Sequence, residues 1–288
     1  MHLKTPILLA ALALAAMPAQ AACLTDAQAS ELVANFVDRK PAANPEGLSE
    51  ADGGCSRAKV NAQLTRRYGK VIGYKAGLTN PAVQKRFGYD KPTWGKLYEG
   101  MLLPDGAVVD AAFGARPLFE ADMLVRVKSA SINQAKTPMD VLQAIDQVIP
   151  FIELADLVVQ APPKLNGPAI NAINVGARLG VAGKPVAVSN LRAERYAMLD
   201  QLRDMTVVIT SDKTVELGRG KGSDILEHPL NAVVWLAQAL AAEGLAMQPG
   251  ELISLGSFSP LFPPKPGLTA TVTYDGLSQA QPVTVRFK

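Results

Sequence analysis

Residues 119–127 form a pattern typical of a β-strand with two unlike faces. Here the acidic residues Glu120 and Asp122 alternate with the apolar residues Ala121 and Met123. Because side chains two positions apart in a strand share a face, we expect the apolar set to pack into a core and both carboxylates to project together. Two like charges side by side repel, so this pair needs a cation, an arginine or water beside it.

A third carboxylate, Glu153, lies in the apolar run 149–155. A charged side chain in such a run is rarely buried without a partner. Three carboxylates with no histidine or thiolate available suit a hard divalent ion, Mg²⁺ or Mn²⁺, that keeps positions open for substrate and water. The alternative interpretation is a solvated strand edge with an unrelated Glu153 that pairs with an arginine or a lysine.

The periodicity of the remaining chain predicts several strands and few helices, which favours an α+β fold over a doubly wound parallel sheet. Residues 41–54 are rich in Pro, Gly, Asn and Asp and are predicted to form a loop. Short β-type runs broken by glycine and proline extend over 71–127. We predict helices over 26–40, 57–68, 138–148 and 229–243, and strands over 151–154, 206–209, 214–217, 252–255, 269–274 and 283–287.

The N-terminus has the pattern of an export signal. Lys4 supplies a positive charge, residues 6–17 are an apolar run, and Ala19-Gln20-Ala21 is an A-x-A cleavage site. We therefore expect residues 1–21 to be removed and the protein to be exported, to the periplasm if the source is bacterial. An uncleaved anchor and lipid attachment at Cys23 are the alternatives. We expect the rest to form a helical region over 22–70 and a metal-binding, catalytic-type domain over 71–288.

The chain contains two cysteines, Cys23 and Cys55. In an oxidising compartment we expect them to form one disulfide, and two free thiols that serve a metal or catalysis are the alternative. His228 is the only histidine beyond the predicted signal, so a multi-histidine metal site is excluded. Its place just before Pro229 and a predicted helix indicates capping or packing.

The charge balance excludes a protein that binds nucleic acid through its net charge, because 29 Lys and Arg against 26 Asp and Glu leave only +3. Arg57, Lys59, Arg66 and Arg67 are predicted to form a solvated helix face, since no aromatic residues alternate with them. After the signal no stretch approaches the roughly 20 apolar residues that a membrane helix needs. We expect neither nucleic acid nor a membrane as a partner.

Residues 218–223 are rich in glycine, but they match neither G-x-x-x-x-G-K-[ST] nor G-x-G-x-x-G. They follow a predicted hairpin, 207–217, rather than the strand of a βαβ unit, so a nucleotide site is rejected. We interpret them as a flexible turn. A cleft-lining loop that carries Arg219 or Lys221 toward an anion is the alternative.

Several short motifs occur in a fixed order along the chain, and together they are far more specific than any one of them. They are GYKAGLT at 73–79, FGYDKPTWG at 87–95, MLLPDG at 101–106, EAD at 120–122, PFIE at 150–153, GKGS at 220–223 and HPLNAVVWLA at 228–237. This set resembles the 2-keto-4-pentenoate hydratases of the fumarylacetoacetate hydrolase superfamily, which are related to 2-oxo-acid decarboxylases. The resemblance runs from about residue 26 to residue 288.

The resemblance implies a β-rich C-terminal fold behind a small helical N-terminal region, a Mg²⁺ or Mn²⁺ cofactor and a homo-oligomer. The family's three acidic ligands fall on Glu120, Asp122 and Glu153, the second being Asp where Glu is usual. Its active-site lysine falls on Lys75, and we expect Leu78 in the same motif to contact substrate.

The implied function is a hydratase-like lyase that acts on a small 2-hydroxydienoate or 2-oxo acid. A 2-oxo-acid decarboxylase or tautomerase is the first alternative, and an exported 2-oxo-acid-binding protein without turnover is the second.

The chain departs from the family at positions linked to proton transfer. Thr93 stands where the family commonly has an acidic residue, and Gly176 stands where it has a serine. Because neither can act as a base near neutral pH, binding of a metal and a 2-oxo acid is better supported than hydration. Asp90, Asp156 or the metal site itself are the alternatives for moving the protons.

Overall fold

The computed structural model describes residues 23–212 and 214–288, so the predicted export signal lies outside the described residues. The helices of the described residues are α1 Asp26–Asp38, α2 Glu50–Tyr68, α3 Pro81–Arg86, α4 Pro138–Ala144, α5 Gly167–Ala172, α6 Arg192–Asp204 and α7 Asn231–Ala242. The strands are β1 Val71–Gly77, β2 Thr93–Tyr98, β3 Leu102–Pro104, β4 Val108–Val109, β5 Pro117–Val127, β6 Ile145–Asp156, β7 Leu179–Ala182, β8 Val186–Ala187, β9 Thr206–Ser211, β10 Val215–Lys221, β11 Leu252–Ser254, β12 Thr269–Asp275 and β13 Val283–Phe287. None of the helices in these two segments has the length and apolar character needed to cross a bilayer.

The strands form two sheets. The larger sheet has the order β2-β1-β11-β5-β6-β7-β3, with β8 paired to β6, and the smaller has the order β10-β9-β12-β13-β4. At the centre of the larger sheet the long strands β5 and β6 pair in antiparallel register from Pro117–Asp156 to Val127–Ile145. A mixed architecture dominated by strands confirms the predicted α+β fold class.

The apolar face of β5 lies in the main hydrophobic core, as the alternating pattern predicts. Ala121 and Met123 are fully buried there, beside Ile209 and Val272 of the smaller sheet and Leu236 of α7. Burial of this face forces the alternate residues of β5 to the other side of the sheet. The two carboxylates of β5 therefore project away from the core.

The N-terminal helices pack on the larger sheet, and α2 begins earlier than predicted. The predicted loop 41–54 ends at Ser49, whose side chain forms a capping box with Asp52. Gly53 allows close packing here, because a Cβ at this position would lie 2.6 Å from the carbonyl oxygen of Pro168. The Cα atoms of Cys23 and Cys55 are 5.7 Å apart with their sulfur atoms at bonding distance, as a disulfide requires.

Arg57 contradicts the predicted solvated face of α2. Its side chain is 1% exposed, its guanidinium lies 3.5 Å from the ring centroid of Trp94, and it forms an ion pair with Glu243. Arg66 and Arg67 are exposed, as predicted. The prediction was wrong for Arg57 because its partners come from β2 and from the end of α7, far along the sequence.

The C-terminal boundary of another predicted helix is wrong. The helix predicted over 138–148 ends at Ala144, and Val148 belongs to β6, where it pairs with Val125. The apolar spacing at 141, 142, 145 and 148 fits a helix, but pairing with β5 overrides it.

The glycine-rich stretch 218–223 is not a flexible turn, since β10 runs through it to Lys221 in register with β9. A Cβ at Gly220 would lie 1.9 Å from the carbonyl oxygen of Phe258, so the glycine serves close approach of two chain segments. Arg219 pairs with Glu216 and lines an outer cleft, which agrees with the alternative interpretation of this stretch.

Candidate metal centre

The register of β5 and β6 places Glu120 directly opposite Glu153. The two side chains are 6% and 3% exposed, and Asp122, two residues further along β5, is fully buried. Directly opposed like charges destabilise a sheet, and burial increases that cost. The structure thus brings the three predicted carboxylates to one face of the larger sheet.

Lys75 reaches this cluster from β1, on the far side of β11. Its ammonium donates to Glu153 Oε1 and, at 3.1 Å, to the carbonyl oxygen of Val175. The side chain is 4% exposed. Burial alone would lower the pKa of Lys75, but the charges of Glu153 and Glu120 outweigh it and leave the pKa above its usual value. The lysine is therefore a fixed cation.

The carboxylates respond to the same surroundings in the opposite sense. Burial, with the charge of Glu153 in addition, raises the pKa of Glu120 well above its usual value. The same two causes raise the pKa of Asp122 to about 7. One ammonium cannot offset three buried carboxylates, so the cluster carries an excess of acidic groups.

The oxygens of the cluster differ in their hydrogen bonding. Asp122 Oδ1 accepts from the backbone N–H groups of Met123 at 2.6 Å and Gly256 at 3.0 Å, and Oδ2 accepts from Ser254 Oγ at 2.5 Å. Glu153 Oε2 is buried, and no group within the described residues forms a hydrogen bond with it. An unpaired buried oxygen is costly unless a ligand completes it.

The donor set fits a hard divalent cation. Three buried carboxylates in charge excess, one of them with a free oxygen, match the oxygen ligands that Mg²⁺ and Mn²⁺ prefer. Within residues 23–212 and 214–288, however, no three acidic, histidine or cysteine side chains are already spaced to coordinate an ion. Coordination of one ion by all three carboxylates therefore requires these side chains to move closer together.

A narrow cavity with a volume of about 50 Å³ lies beside the cluster. Leu78 and Val175 line it with other apolar side chains, and its ionisable lining residues are Lys75 and Glu120. A wider cleft with a volume of about 860 Å³ lies next to this cavity. The two spaces share the lining residues Asn80, Val83 and Leu261. The narrow cavity, which Glu120 lines, therefore adjoins the wider cleft.

The structure separates the other proton-transfer candidates from the cavity. Asp156 bonds to Arg178 and to backbone N–H groups, and Asp90 is exposed. Thr93 Oγ1 is buried without a partner, but it does not line the cavity. His228 is buried and its Nδ1 accepts from the N–H of Leu230, the residue just before α7. This agrees with packing rather than capping, the two predicted roles, because no side chain caps this helix.

Sequence reasoning missed the groups that hold the cluster in place. Ser254 and Gly256 donate hydrogen bonds to Asp122 but do not belong to any of the motifs identified in the sequence. A buried serine gives no sequence signal by itself. The turn Asn174–Gly176, which supplies the carbonyl acceptor for Lys75, was equally unexpected. An asparagine and a glycine around one residue are the weak signal that marks such a turn.

The chain is similar over most of its length to curated enzymes. It is 27% identical over 260 residues to 2-keto-4-pentenoate hydratase 1 of Dechloromonas aromatica (strain RCB), which covers 88% of this chain and 94% of that protein. It is 32% identical over 230 residues to the 4-oxalocrotonate decarboxylase of Pseudomonas sp. (strain CF600), which covers 80% of this chain and 82% of that protein. No protein-family model matches the chain.

Solved structures show the same relationship. A 4-oxalocrotonate decarboxylase from Pseudomonas putida G7, complexed with magnesium and adipate, superposes with a TM-score of 0.79 at 26% identity and covers 93% of this chain and 100% of that chain. The fold also matches a fumarylpyruvate hydrolase from Pseudomonas aeruginosa, with a TM-score of 0.55 at 12% identity over 74% of this chain and 88% of that chain. The chain therefore belongs to the family of 2-keto-4-pentenoate hydratases and 4-oxalocrotonate decarboxylases.

Proposed function

We propose that this protein is a divalent-metal-dependent, hydratase-like lyase that acts on a small 2-hydroxydienoate or 2-oxo acid. One observation carries the proposal: Glu120, Asp122 and Glu153 are buried together with Lys75 beside them, and Glu120 and Lys75 line a cavity. Membership of a family of such enzymes agrees with it. The similarity to these enzymes extends over most of the chain, including all the residues of the candidate site.

The three carboxylates would hold the ion and the cavity would hold the organic substrate. A bound Mg²⁺ or Mn²⁺ would act as a Lewis acid toward the carboxylate and 2-oxygen of a 2-oxo acid and stabilise the enolate. The ammonium of Lys75 adds a positive charge beside the same oxygens. Leu78, Val83 and Phe87 line the cavity, where they would contact the carbon skeleton of the substrate and exclude water.

The proton inventory favours a second candidate, a 2-oxo-acid decarboxylase or tautomerase. Lys75 and Glu120 are the ionisable side chains among the described lining residues of the cavity. Thr93 cannot replace an acid, and the carboxylate of Asp156 is occupied by Arg178. Decarboxylation and ketonisation need an enolate and one proton at carbon, whereas hydration also needs a group that activates water.

An ultraviolet assay separates the candidates. Purified protein with Mg²⁺ is mixed with a 2-hydroxydienoate and, separately, with an unsaturated 2-oxo diacid. We expect loss of dienol absorbance with a hydrated product for the lyase, and release of CO₂ from the diacid for the decarboxylase. Ketonisation without a hydrated product identifies a tautomerase. Ligand binding without turnover identifies a binding protein and contradicts the proposal.

Calorimetric titration of Mn²⁺ into metal-free protein tests the premise that both candidates share. We expect Glu120→Ala and Glu153→Ala to abolish binding, because each removes an oxygen ligand. Glu99→Ala is the matched control, since Glu99 is exposed and lies outside the cavity. Unchanged affinity in both site variants contradicts the placement of the ion.

We also propose that the protein is exported and that Cys23 and Cys55 form a disulfide. The A-x-A site precedes Cys23 by two residues, and the two sulfur atoms lie at bonding distance. Mass spectrometry of protein isolated from the extracellular or periplasmic fraction tests both statements. We expect an N-terminus at Ala22 and a mass lower than that of the reduced chain by two hydrogen atoms. Free thiols in the exported protein contradict the second statement.

A further inference from the structure

The turn Asn174–Gly176 has an unusual backbone. Asn174, Val175 and Gly176 follow one another with φ of 55°, 54° and 66°. Glycine and asparagine tolerate the left-handed region, but a β-branched valine there is a true outlier. Such conformations persist only where the surroundings enforce them, and they cluster at functional sites.

The side chain of Asn174 holds the turn against β2. Its Oδ1 accepts from the backbone N–H of Lys96 at 2.8 Å, and its Nδ2 donates to the carbonyl oxygen of Lys96 at 3.0 Å. The neighbouring Gly95 makes this approach possible, because a Cβ there would lie 2.6 Å from the carbonyl oxygen of Asn174. We call this two-bond contact between the Asn174 amide and the Lys96 backbone the Asn174 clamp.

The clamped turn supplies two features of the candidate site. The carbonyl oxygen of Val175 accepts from Lys75 Nζ at 3.1 Å, as the second acceptor of the ammonium beside Glu153. The side chain of Val175 lines the cavity and lies over Gly77, where a Cβ would come within 2.3 Å of Val175 Cγ1. If the turn relaxes, the ammonium loses this acceptor and the cavity wall moves.

We propose that Asn174 is a positioning residue, whose clamp on β2 keeps the strained turn closed and so fixes the ammonium of Lys75. The proposal rests on the proposed function for its catalytic consequence. A small displacement of a group that binds substrate costs rate more than affinity when the group acts on the transition state. Release of the clamp therefore lowers turnover without a matching loss of folding.

The chain contains two matched controls. Asn44 forms the same two bonds with Ala161, at 2.9 Å and 2.8 Å, and Asn133 forms them with Met247, at 2.8 Å and 2.9 Å. None of these four residues lines the cavity. Asn44→Ala removes equivalent hydrogen bonds without contact to Lys75, and Asn133→Ala removes the same two and a further bond to the carbonyl oxygen of Ala130 at 3.1 Å.

The test compares Asn174→Ala with these two controls in the full-length mature protein. We expect Asn174→Ala to lower kcat by about tenfold or more while KM changes by less than about threefold. Asn174→Asp keeps the acceptor for the N–H of Lys96 and tolerates the left-handed conformation, so we expect an intermediate kcat. The two control variants should keep the wild-type kcat at a comparable loss of thermal stability.

A readout without turnover separates this proposal from the proposed function. Metal-free protein is acylated with an amine-reactive ester, and the rate at Lys75 is followed by peptide mass spectrometry. We expect several-fold faster labelling of Lys75 in Asn174→Ala only. If the wild type lacks turnover, the proposed function fails while labelling still decides the clamp.

Two results overturn the clamp proposal. One is equal kcat and equal Lys75 labelling in Asn174→Ala and in the two control variants. The other is unfolding of both Asn174 variants while the two control variants fold, because the clamp then serves folding alone.

Discussion

Glu153 and Asp156 lie on the same strand, each buried beside a cation, yet their surroundings differ. The carboxylate of Asp156 accepts from the backbone N–H groups of Ala115, Arg116 and Val158 and from the guanidinium of Arg178. Glu153 has one cationic donor on Oε1, and its Oε2 has none. Glu153 also faces a second glutamate across the strand pair.

The difference separates a structural ion pair from a binding site. Every strong acceptor position of the Asp156 carboxylate is used, so the pair has nothing to offer a ligand. The Glu153 cluster keeps an unpaired oxygen and an excess of acid, which only a further cation or protons can balance. Three predictions test this contrast and a fourth tests a buried histidine elsewhere, in order of expected effect.

The largest effect concerns the saturated pair. Asp156→Ala leaves three N–H groups without an acceptor and the buried guanidinium of Arg178 without its carboxylate partner, with only the carbonyl oxygen of Phe36 still accepting from it. We therefore expect a loss of about 3–5 kcal/mol in the free energy of unfolding. Urea denaturation measures it. Asp146→Ala is the control, because its ion pair with Arg126 is largely at the surface and worth less than about 1 kcal/mol. A loss in Asp156→Ala no larger than in the control removes the contrast.

The second prediction concerns the unsaturated cluster. We expect Glu120→Gln to weaken Mn²⁺ binding by at least about 100-fold, because a ligand is lost. The metal-free variant should be as stable as the wild type or more stable, since a buried like charge opposite Glu153 is gone. Calorimetry and urea denaturation give the two values. A variant that loses stability and keeps Mn²⁺ affinity contradicts the assignment.

The third prediction concerns the ion itself. At a free Mn²⁺ concentration of 100 times Kd, we expect the wild type to gain about 2.7 kcal/mol in the free energy of unfolding. Asp156→Ala should gain the same increment on its lower baseline, and Glu120→Gln should gain nothing at that concentration. Thermal unfolding with and without MnCl₂ is the measurement. An equal gain in all three proteins indicates Mn²⁺ binding elsewhere.

The smallest effect concerns His228, whose hydrogen bonds are complete only when it is neutral. Nδ1 accepts from the N–H of Leu230, so Nε2 donates to the carbonyl oxygen of Leu199. Burial lowers the pKa of His228 despite this second bond, and the neighbouring charges are those of Arg203, Asp200 and Asp204.

Because the folded protein disfavours the protonated imidazole, its contribution to stability is complete above pH 6.5 and falls as the pH drops below that value. In His228→Asn the amide oxygen can accept from the same N–H group without titrating. We therefore expect a flatter pH dependence of unfolding between pH 7 and pH 5 than in the wild type. Identical slopes contradict the burial of a neutral histidine.

Local patterns were enough to predict the strand of Glu120 and Asp122. The alternation within 119–127 encodes both the strand and its face, and the strand 283–287 was predicted with correct bounds, because such signals need no distant partner. The family resemblance added Lys75 and the order of the motifs. Together these features were enough to predict the α+β fold class and the residues of the candidate site.

Long-range contacts account for what could not be predicted. Arg57 bonds to Glu243 across 186 residues and to the Trp94 carbonyl oxygen across 37, so no local pattern indicates its burial. The turn around Val175 violates local preference, and its neighbour Asn174 bonds to Lys96 of β2, 78 residues away in the sequence. Glu153 was identified as acidic in an apolar run, but its unpaired oxygen depends on where Lys75 ends.

The opposed positions of Glu120 and Glu153 also restrict the register in which β5 and β6 can pair. A slip of one residue between β5 and β6 would turn the carboxylates of β5 into the space that Ala121 and Met123 now fill. A shifted register would therefore cost more free energy than it would if alanines replaced these carboxylates. Insertions and deletions in either strand should accordingly be absent from functional variants, whereas the 41–48 connection can vary in length.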